Sequence, residues 1–421
     1  MKILIYEDHK YKSLYPLSML RSVFDIKTGI NTIFERIKIL AGKKFEISIL
    51  CRKSLTELVK EFHKCKVNDF SNDDYLLLNG RVIFTNELFS FILKEKSKNT
   101  VISYNNEIIA AFISKNIFKE FLLKINSSGE KIVEESMFKD LSLKTCVLKN
   151  NLNVSVINYS WDIIRHLLKS SLTDDFEIFL KSDKTYSSAK KSESIINHKN
   201  VFTKERINCH PNVVLDASSG KIIVSENVNI EPFTFIKGPV FLGKNVTVKA
   251  GTKIYGPCII GEYSKIAGEI GESVLHSYVN KQHDGFIGHS YICPFVNLGA
   301  DTVTSDLKNN YSEIRIKHSG EELNTGMRFL GSIIGDHSKT SINTMLNTGS
   351  VIGIFANLFG GGFHEKFIQS FSWDESGKVS QKYEIEKAVE TAKIVMKRRG
   401  IKMSEAYEKL VKYYSSLQFR I

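Results

Sequence analysis

The stretch NKQHDGFIGHSYICPFVNLGADT, residues 280–302, collects the side chains best suited to proton transfer. His283 and His289 lie six residues apart, and Asn297 follows them. A neutral imidazole near pH 7 is a natural general base for an amine or hydroxyl nucleophile. An asparagine can hydrogen-bond a sugar, although it is also a common corner-turn residue. The stretch therefore predicts acid–base chemistry on a polar substrate, with an inert, hydrogen-bonded histidine as the alternative for either ring.

The chain around this stretch repeats every six residues. Branched aliphatic residues recur without a miss at Val224, Ile230, Ile236, Leu242, Val248, Ile254, Ile260 and Ile266. An α-helix, with 3.6 residues per turn, does not produce this period. A triangular parallel β-coil does, because each flat side takes one hexapeptide with its aliphatic residue inward. The series continues at Val274, Phe286, Ile292, Leu298 and Thr304, then resumes from Ile334 to Leu358 after a polar segment predicted to be a loop.

Coil geometry limits what the histidines can do. Residues 18 apart stack in such a coil, and residues six apart lie on adjacent sides. His283 and His289 should therefore face different directions, so a shared zinc ion is not expected. The same rule places Asp301 above or below His283, where it would fix the tautomer of the ring. Glu269 is the other acid close in sequence, and backbone amides at coil corners could stabilise an oxyanion.

The first part of the chain has a different pattern. The segments MKILIY, EISILC, DYLLLNG and NTVISY have the apolar character of strands, and GINTIFERIKILAG has the apolar spacing of a helix. Alternating strands and helices predict an α/β domain with a largely parallel sheet. Ligands of such sheets bind beyond the carboxyl ends of the strands. The loop after MKILIY, which contains Glu7, Asp8 and Arg21, should lie there.

The length of 421 residues indicates two or three domains. We expect the α/β domain over residues 1–175 and a polar linker over 176–204. The coil should follow over 205–365. An extended segment and two helices over 366–421 should pack along the coil or a neighbouring subunit.

Composition excludes several classes of protein. An apolar content of 42% and a charged content of 25% are typical of a globular protein. The sequence contains no run of 18 apolar residues, so a membrane helix is not expected. Six scattered cysteines indicate reduced thiols in a cytoplasmic protein. The net charge of +12 comes from lysines spread along the whole chain, without a basic block. We therefore expect a solvated surface that attracts small polyanions, and no nucleic-acid or membrane partner.

The segments QHDGFIG and VNLGADT align without a gap to GHLTYLG and VNIGAGT of a known family. The coil resembles the left-handed β-helix acyltransferases built from hexapeptide repeats. It is most similar to the bifunctional family that acetylates glucosamine 1-phosphate and then forms UDP-N-acetylglucosamine. Further segments resemble a divergent bacterial branch of that family, among them YEDHKYKSLYPLSMLRSVFDIKTGI, LLLNGR, SKIAGEI and GDHSKTSINTMLNTGS.

For the coil, this resemblance implies that His283 is the catalytic base. Glu269 stands as the acid near the base, and Asp301, where the family has glycine, joins them by the stacking rule. The substrate-binding residues that follow are Asn297, Lys249, Lys265 and Phe286, with a backbone contact to coenzyme A from Ala300. Phe286 replaces a sugar-contacting tyrosine, so one hydroxyl contact is lost. Asp306 and Leu307 replace an asparagine–tyrosine pair, which leaves the identity of the acceptor open.

For the first domain, the resemblance implies a nucleotidyltransferase that uses Mg²⁺ and UTP or another nucleoside triphosphate. The glycine-rich loop of the family is absent, so Arg21 and Lys27 are the candidate phosphate contacts. Asn79 replaces the metal-binding aspartate and is a weaker Mg²⁺ ligand than a carboxylate. Asp8 or Asp162 would have to compensate as metal ligands.

The sequence thus predicts a cytoplasmic enzyme, a homotrimer with sites between subunits. The coil would transfer an acetyl group from acetyl-CoA to an amino-sugar 1-phosphate, and the first domain would couple the sugar phosphate to a nucleotide. One alternative is a nucleotidyltransferase with a non-catalytic coil. The other is a non-enzymatic scaffold whose first domain has lost catalysis.

Overall fold

The computed structural model describes residues 1–95, 97–148, 152–169, 171–205, 208–318 and 320–417. The chain forms two compact units. The first comprises Met1–Tyr159 and Thr173–Ser182, and the second comprises Ser160–Leu172 and Asp183–Ile421. Residues 176–204, expected as a linker, hold the end of a helix and the first strands of the coil.

The first unit contains a seven-stranded sheet. In spatial order the strands are Lys66–Val67, Ile47–Leu50, Lys2–Tyr6, Tyr75–Asn79, Glu107–Ile113, Thr100–Tyr104 and Lys144–Val147. The first four run parallel, whereas Glu107–Ile113 is antiparallel to both of its neighbours. Each of the four predicted strand segments is a strand, and the α/β class is confirmed. A short antiparallel pair joins Val82–Ile83 to Ser155–Val156.

Helices and short 3₁₀ turns connect these strands. The α-helices are Ile33–Ala41, Thr56–Phe62, Asn86–Glu95, Lys115–Ser127, Glu135–Lys139 and Ser171–Ser182, and the 3₁₀ turns are His9–Leu14, Val23–Asp25, Gly42–Lys44 and Lys53–Leu55. The predicted helix begins with a capping box in which Thr32 and Glu35 satisfy each other's backbone amides. It ends before Gly42, whose φ of 60° suits glycine.

The second unit is the predicted left-handed parallel β-helix, with three faces. The first face comprises Ser187–Ser188, Val201–Thr203, Ile222–Val224, Val240–Leu242, Cys258–Ile260, Val274–Leu275, Tyr291–Ile292, Ile333–Ile334, Val351–Ile352 and Phe367–Ile368. The second comprises Ile195–Ile196, Val214–Asp216, Phe235–Lys237, Lys253–Tyr255, Glu269–Gly271 and Phe286–Gly288, continued by Val303–Thr304 and Met345–Leu346. The third comprises Asn208–Cys209, Asn229–Ile230, Thr247–Val248, Lys265–Ile266 and Asn280–Lys281, continued by Lys339–Thr340, Asn357–Phe359, Ser372–Glu375 and Gln381–Lys382.

The coil turns near the site are irregular. The corner after Ile266 has only two residues where other corners of that edge have four, and one further residue is lost between Gly271 and Val274. Lys265 therefore pairs with Asn280, 15 residues later instead of 18. This short turn shifts the inward register, and the prediction that Val274 and Phe286 continue the inward series is wrong. Leu275 and Ile287 occupy those inward positions, stacked on Ile260 and Ile270.

The predicted polar loop is in part an antiparallel hairpin, Arg315–His318 with Glu321–Asn324. It interrupts the coil, so Tyr291 pairs with Ile333, 42 residues later.

One corner of the coil carries a column of stacked rings. Its members are Tyr263, Tyr278, Phe295, His337, Phe355 and Phe371, with neighbouring centroids 4.6–5.3 Å apart. Two C-terminal helices, Ile385–Lys397 and Glu405–Ser416, belong to the same unit, as do helix Asp162–Leu167 and the 3₁₀ turn His198–Asn200. The hydroxyl of Tyr407 lies 3.0 Å from Nε2 of His337, so the tail packs along the coil as expected. None of the helices in the described segments has the length and apolar character needed to cross a bilayer.

Candidate active site

His283 lies in the corner formed by residues 282–285, between strands Asn280–Lys281 and Phe286–Gly288. Its side chain is exposed. Within the described ranges, the imidazole makes no hydrogen bond or ion pair, so both ring nitrogens are available to a substrate. The backbone carbonyl of His283 accepts a hydrogen bond from Nζ of Lys281. The corner is therefore held from inside while the ring faces solvent.

A polar ladder lies on the outer surface of the adjacent third face. Lys265, Asn280 and Asn297 occupy successive rungs in register. The amide of Asn280 donates to Oδ1 of Asn297 at 2.6 Å, and Nη2 of Arg399 lies 3.5 Å from Oδ1 of Asn280. The structure thus joins two predicted substrate-binding residues through Asn280, three positions before His283. Sequence reasoning assigned no substrate-binding role to Asn280.

Asp301 does not stack on His283, so that prediction is wrong. The amide of Asp301 donates to the carbonyl of Asp284 at 3.0 Å, because this turn of the coil has 17 residues instead of 18. Asp301 is exposed, with φ of 55°, and its carboxylate makes no hydrogen bond or ion pair in the described part of the chain. The carbonyl of Ala300 accepts from the amide of Asn343 at 2.8 Å, so this oxygen is already used within the coil.

The other predicted residues of the coil are not joined to His283 by hydrogen bonds. Phe286 pairs with Glu269 on the second face, and the Glu269 carboxylate lies 3.8 Å from Nζ of Lys253. Lys249 lies 2.8 Å from the carboxylate of Glu231, and the hydrogen bond from Lys249 lowers the pKa of that carboxyl. Lys249 is thus already partly neutralised. Its predicted role in substrate binding would require the substrate to compete with Glu231 for the Lys249 amine.

His289 has the more ordered ring. Its Nδ1 lies 2.8 Å from Oδ2 of Asp306, and Phe329 stacks on the ring at 5.1 Å. Glu272 lies nearby, and burial raises the pKa of its carboxyl. Asp306 holds the ring in one orientation, which is the arrangement of a histidine–carboxylate dyad. Sequence reasoning missed this pair, although a separation of one 17-residue coil turn could have suggested it.

At the carboxyl end of the central strands in the first unit, the predicted metal-site residues form a buried ionic cluster. Both carboxylate oxygens of Asp8 accept from Arg81, at 2.6–2.9 Å. Arg81 also donates to Glu107 at 2.7 Å, and Glu107 pairs with Lys10. Asn79 donates its amide to Asp8 at 3.0 Å. The cluster is neutralised by the chain itself.

The neighbouring loop is anchored in the same way. Glu7 and Arg52 are fully buried and paired at 2.5 Å. Burial raises the pKa of the Glu7 carboxyl, while Arg52 opposes this rise. The predicted phosphate contacts are half-buried: Nη1 of Arg21 donates to the carbonyl of Leu17 at 2.6 Å, and Nζ of Lys27 donates to the carbonyl of Ile30 at 2.8 Å.

These donor sets do not fit the predicted Mg²⁺ ion. Oxygen atoms are the ligands Mg²⁺ prefers, but both oxygens of Asp8 are bound to Arg81, and Oδ1 of Asn79 accepts from the backbone amide of Arg81. Asp162 belongs to the second unit and is paired with Arg165. Across the described ranges, no group of three histidine, cysteine or acidic side chains is placed to hold a metal.

Comparisons with known proteins identify one matching family model and several similar proteins. Residues 3–184 match the family model described as sugar nucleotidyl transferase. The chain is 25% identical over 315 residues to a bifunctional sugar-1-phosphate nucleotidylyltransferase/acetyltransferase of Sulfurisphaera tokodaii, with 69% of this chain and 74% of that protein covered. It is 23% identical over 309 residues to the bifunctional protein GlmU of Methanococcus vannielii, with 68% and 71% covered. A hexapeptide transferase family structure from Anaplasma phagocytophilum matches at 16% identity and a TM-score of 0.19, over 47% of this chain and 90% of that chain.

The two curated relatives are archaeal, whereas the sequence resemblance pointed to a bacterial branch of the same family. Their names describe enzymes, so the comparisons favour an enzyme over the scaffold alternative.

Proposed function

We propose that the coil of this chain acetylates an amino-sugar 1-phosphate, because residues 3–184 match the sugar nucleotidyl transferase family model and the chain is similar to a bifunctional sugar-1-phosphate nucleotidylyltransferase/acetyltransferase. The acetyl donor is acetyl-CoA and the acceptor is glucosamine 1-phosphate. The first unit then joins the sugar phosphate to UTP, which yields UDP-N-acetylglucosamine and pyrophosphate.

The proposal of acetyl transfer rests on the His283 imidazole, which is exposed beside the Asn280–Asn297 ladder. Within the described ranges this ring makes no hydrogen bond or ion pair. The neutral ring takes a proton from the amine as its nitrogen attacks the thioester carbonyl. The new C–N bond forms, the C–S bond breaks, and the imidazolium returns its proton to the departing thiolate. The ladder amides orient the sugar hydroxyls, and Lys265 and Arg399 supply positive charge for the phosphate.

In the first unit, Arg21 and Lys27 are the proposed phosphate contacts at the strand ends. The buried Glu7–Arg52 pair fixes the loop that carries Arg21, since Arg52 donates to the carbonyl of Arg21 and Glu7 accepts from the amide of Val23. Nucleotidyl transfer would then rest on positioning and on these cations.

The two histidines supply a matched test. Acetyl transfer to glucosamine 1-phosphate is measured by release of the coenzyme A thiol, with far-ultraviolet circular dichroism as the check of folding. We expect His283→Ala to lower kcat about 100-fold or more, and His289→Ala to stay within about threefold of wild type. Full activity in His283→Ala would contradict the proposed base. Loss of activity in His289→Ala alone would assign that role to the His289–Asp306 dyad.

A nucleotidyltransferase with a non-catalytic coil is the second candidate. It is favoured by the lack of a carboxylate bonded to the His283 ring among the described residues. Calorimetric titration with coenzyme A separates the two, because a non-catalytic coil would bind none. Pyrophosphate release from UTP and N-acetylglucosamine 1-phosphate tests the first unit independently, and no release would contradict its proposed role.

A further inference from the structure

Lys281 occupies an inward position that the neighbouring coil turns give to apolar residues or threonine, with a second buried charge, Asp374, at the far end of the same column. The inward column of the third face runs Ile230, Val248, Ile266, Lys281, Leu298, Thr340 and Leu358. Lys281 is 1% exposed. An ammonium group is costly to bury without full hydrogen bonding. An aliphatic side chain would fill the same space without that cost, so stability of the coil does not explain a lysine here.

The amine of Lys281 is used to hold the corner that carries His283. Its Nζ donates to the carbonyl of His283 at 2.5 Å and to the carbonyl of Asp284 at 2.9 Å. Burial lowers the pKa of Lys281 to about 8, while Asp284 and Asp301 oppose this fall. The side chain thus reaches from the interior and fixes the backbone on which the imidazole stands.

Other corners of the same edge are held in a different way. In the described part of the chain, four of them end in a threonine whose hydroxyl donates to the carbonyl three residues earlier, at 2.6–2.9 Å. These threonines are Thr234, Thr252, Thr302 and Thr344, and their acceptors are Glu231, Lys249, Gly299 and Ser341. The corresponding residue of the His283 corner is Gly285, which has no hydroxyl.

Gly285 cannot be a threonine in this conformation. Its φ is +121°, and an added Cβ would lie 2.3 Å from the carbonyl oxygen of Thr302 in the next turn. The close approach of the two turns therefore removes the usual anchor of the corner. The amine of Lys281 replaces that anchor from the opposite side.

We propose that Lys281 is a positioning residue for acetyl transfer. Its amine fixes the corner 282–285, so that the His283 ring stays aligned with its substrate. This inference rests on the proposed function of the coil. Displacement of a reacting group by about 1 Å is enough to lower a rate about 100-fold, so loosening this corner should act on kcat more than on substrate binding.

The test compares Lys281→Met with Thr234→Val in the full-length protein. Methionine keeps an unbranched side chain of similar length but donates no hydrogen bond. Thr234→Val removes a corner anchor three coil turns away from His283. Lys281→Leu serves as a second variant, because leucine occupies the next inward position at Leu298.

For Lys281→Met we expect kcat for acetyl transfer to fall about tenfold or more, with KM for glucosamine 1-phosphate within about threefold of wild type. Its melting temperature should be unchanged or higher. Thr234→Val should lower the melting temperature and leave kcat within about twofold. Unchanged kcat in both Lys281 variants, or a loss matched by the loss of folded protein, would overturn the proposal.

A second readout does not depend on activity. The ¹H–¹⁵N signals of the His283 ring, assigned by their absence in His283→Ala, should shift or broaden in Lys281→Met and stay unchanged in Thr234→Val. If wild type transfers no acetyl group, the proposed function fails, and these spectra still decide whether Lys281 holds the corner. Identical His283 signals in wild type and Lys281→Met would refute the positioning role.

Discussion

At the scale of single residues, buried charge is used in two different ways. In the first unit, Arg81 is fully buried between the carboxylates of Asp8 and Glu107. Burial lowers the pKa of its guanidinium, but the two carboxylates outweigh this effect, so the pKa is raised. In the coil, Lys281 is buried without a carboxylate partner within salt-bridge distance in the described ranges. The Arg81 guanidinium is paired with two carboxylates, whereas the Lys281 amine is hydrogen-bonded to backbone carbonyls.

The Arg81 cluster predicts a large loss of stability when its cation is removed. Arg81→Met should lower the free energy of unfolding by about 3–5 kcal/mol, because two carboxylates would remain buried without their partner. Urea unfolding followed by circular dichroism measures this loss. Lys124→Met, which removes a more exposed pair with Asp140, is the control and should lose under about 1 kcal/mol. Equal losses in the two variants would contradict a special role for Arg81.

The lowered pKa of Lys281 predicts a pH-dependent difference between wild type and Lys281→Met. Between about pH 8 and the ordinary lysine pKa of 10.5, the unfolded chain binds a proton that the folded chain has released. Wild type therefore gains stability as pH rises through this window, and the variant lacks this gain. The free energy of unfolding of Lys281→Met minus that of wild type should therefore be lower at pH 10 than at pH 7, by roughly 1–3 kcal/mol. Urea unfolding at both pH values checks this, and a constant difference would contradict it.

At the scale of elements, irregular turns of the coil create the site. The 15-residue turn after Lys265 and the 17-residue turn after Asn280 bring Asn280 and Asn297 into register beside the His283 corner. A coil with uniform 18-residue turns would place Asp301 on His283, as the sequence suggested. Corner length thus determines which side chains become neighbours.

The ring column and the C-terminal helices form a second element-level contact. His337 is buried between Phe295 and Phe355, and its Nε2 lies 3.0 Å from the hydroxyl of Tyr407. We expect Tyr407→Phe to lower the free energy of unfolding by about 1 kcal/mol, because His337 loses a hydrogen-bond partner while the packing is kept. Thermal unfolding measures the effect. Tyr413→Phe, on a more exposed ring of the same helix, is the control, and an equal effect there would argue against a specific Tyr407–His337 contact.

At the scale of the whole molecule, the coil exposes apolar residues on the edge that carries His283. Phe233 and Ile342, at corners of this edge, are each 67% exposed. Single exposed apolar residues are common on protein surfaces. Ile342 would be covered if sites lie between subunits of a trimer, which remains a prediction.

Sedimentation velocity should therefore show a trimer of the 47.8 kDa chain at micromolar concentration. Ile342→Asp should shift the protein toward monomers and lower acetyl transfer in the same proportion, because a charge would be buried at the contact. Lys378→Asp provides a surface control with an exposed side chain. A monomeric wild type, or a trimer unaffected by Ile342→Asp, would contradict this placement of the interface.

The sequence by itself determined the α/β class of the first unit, the hexapeptide coil and the stretch that carries His283 and Asn297. These follow from local patterns, since inward aliphatic residues at a period of six fit a coil wherever their neighbours lie. The family resemblance added the predicted roles of His283 and Asn297, which remain predictions. The sequence also indicated that the first domain lacks the usual phosphate-binding loop and metal-binding aspartate.

Only the tertiary structure decided which residues meet. Stacking partners in a coil depend on the summed lengths of all intervening corners, so the loss of one residue from the turn between Asn280 and Asn297 moved Asp301 from His283 to Asp284. The Asp8–Arg81 pair spans 73 residues, and no local pattern encodes it. Lys281 looks like any other lysine in the sequence. Its role became visible only when the structure showed its amine inside the coil, bonded to the corner of His283.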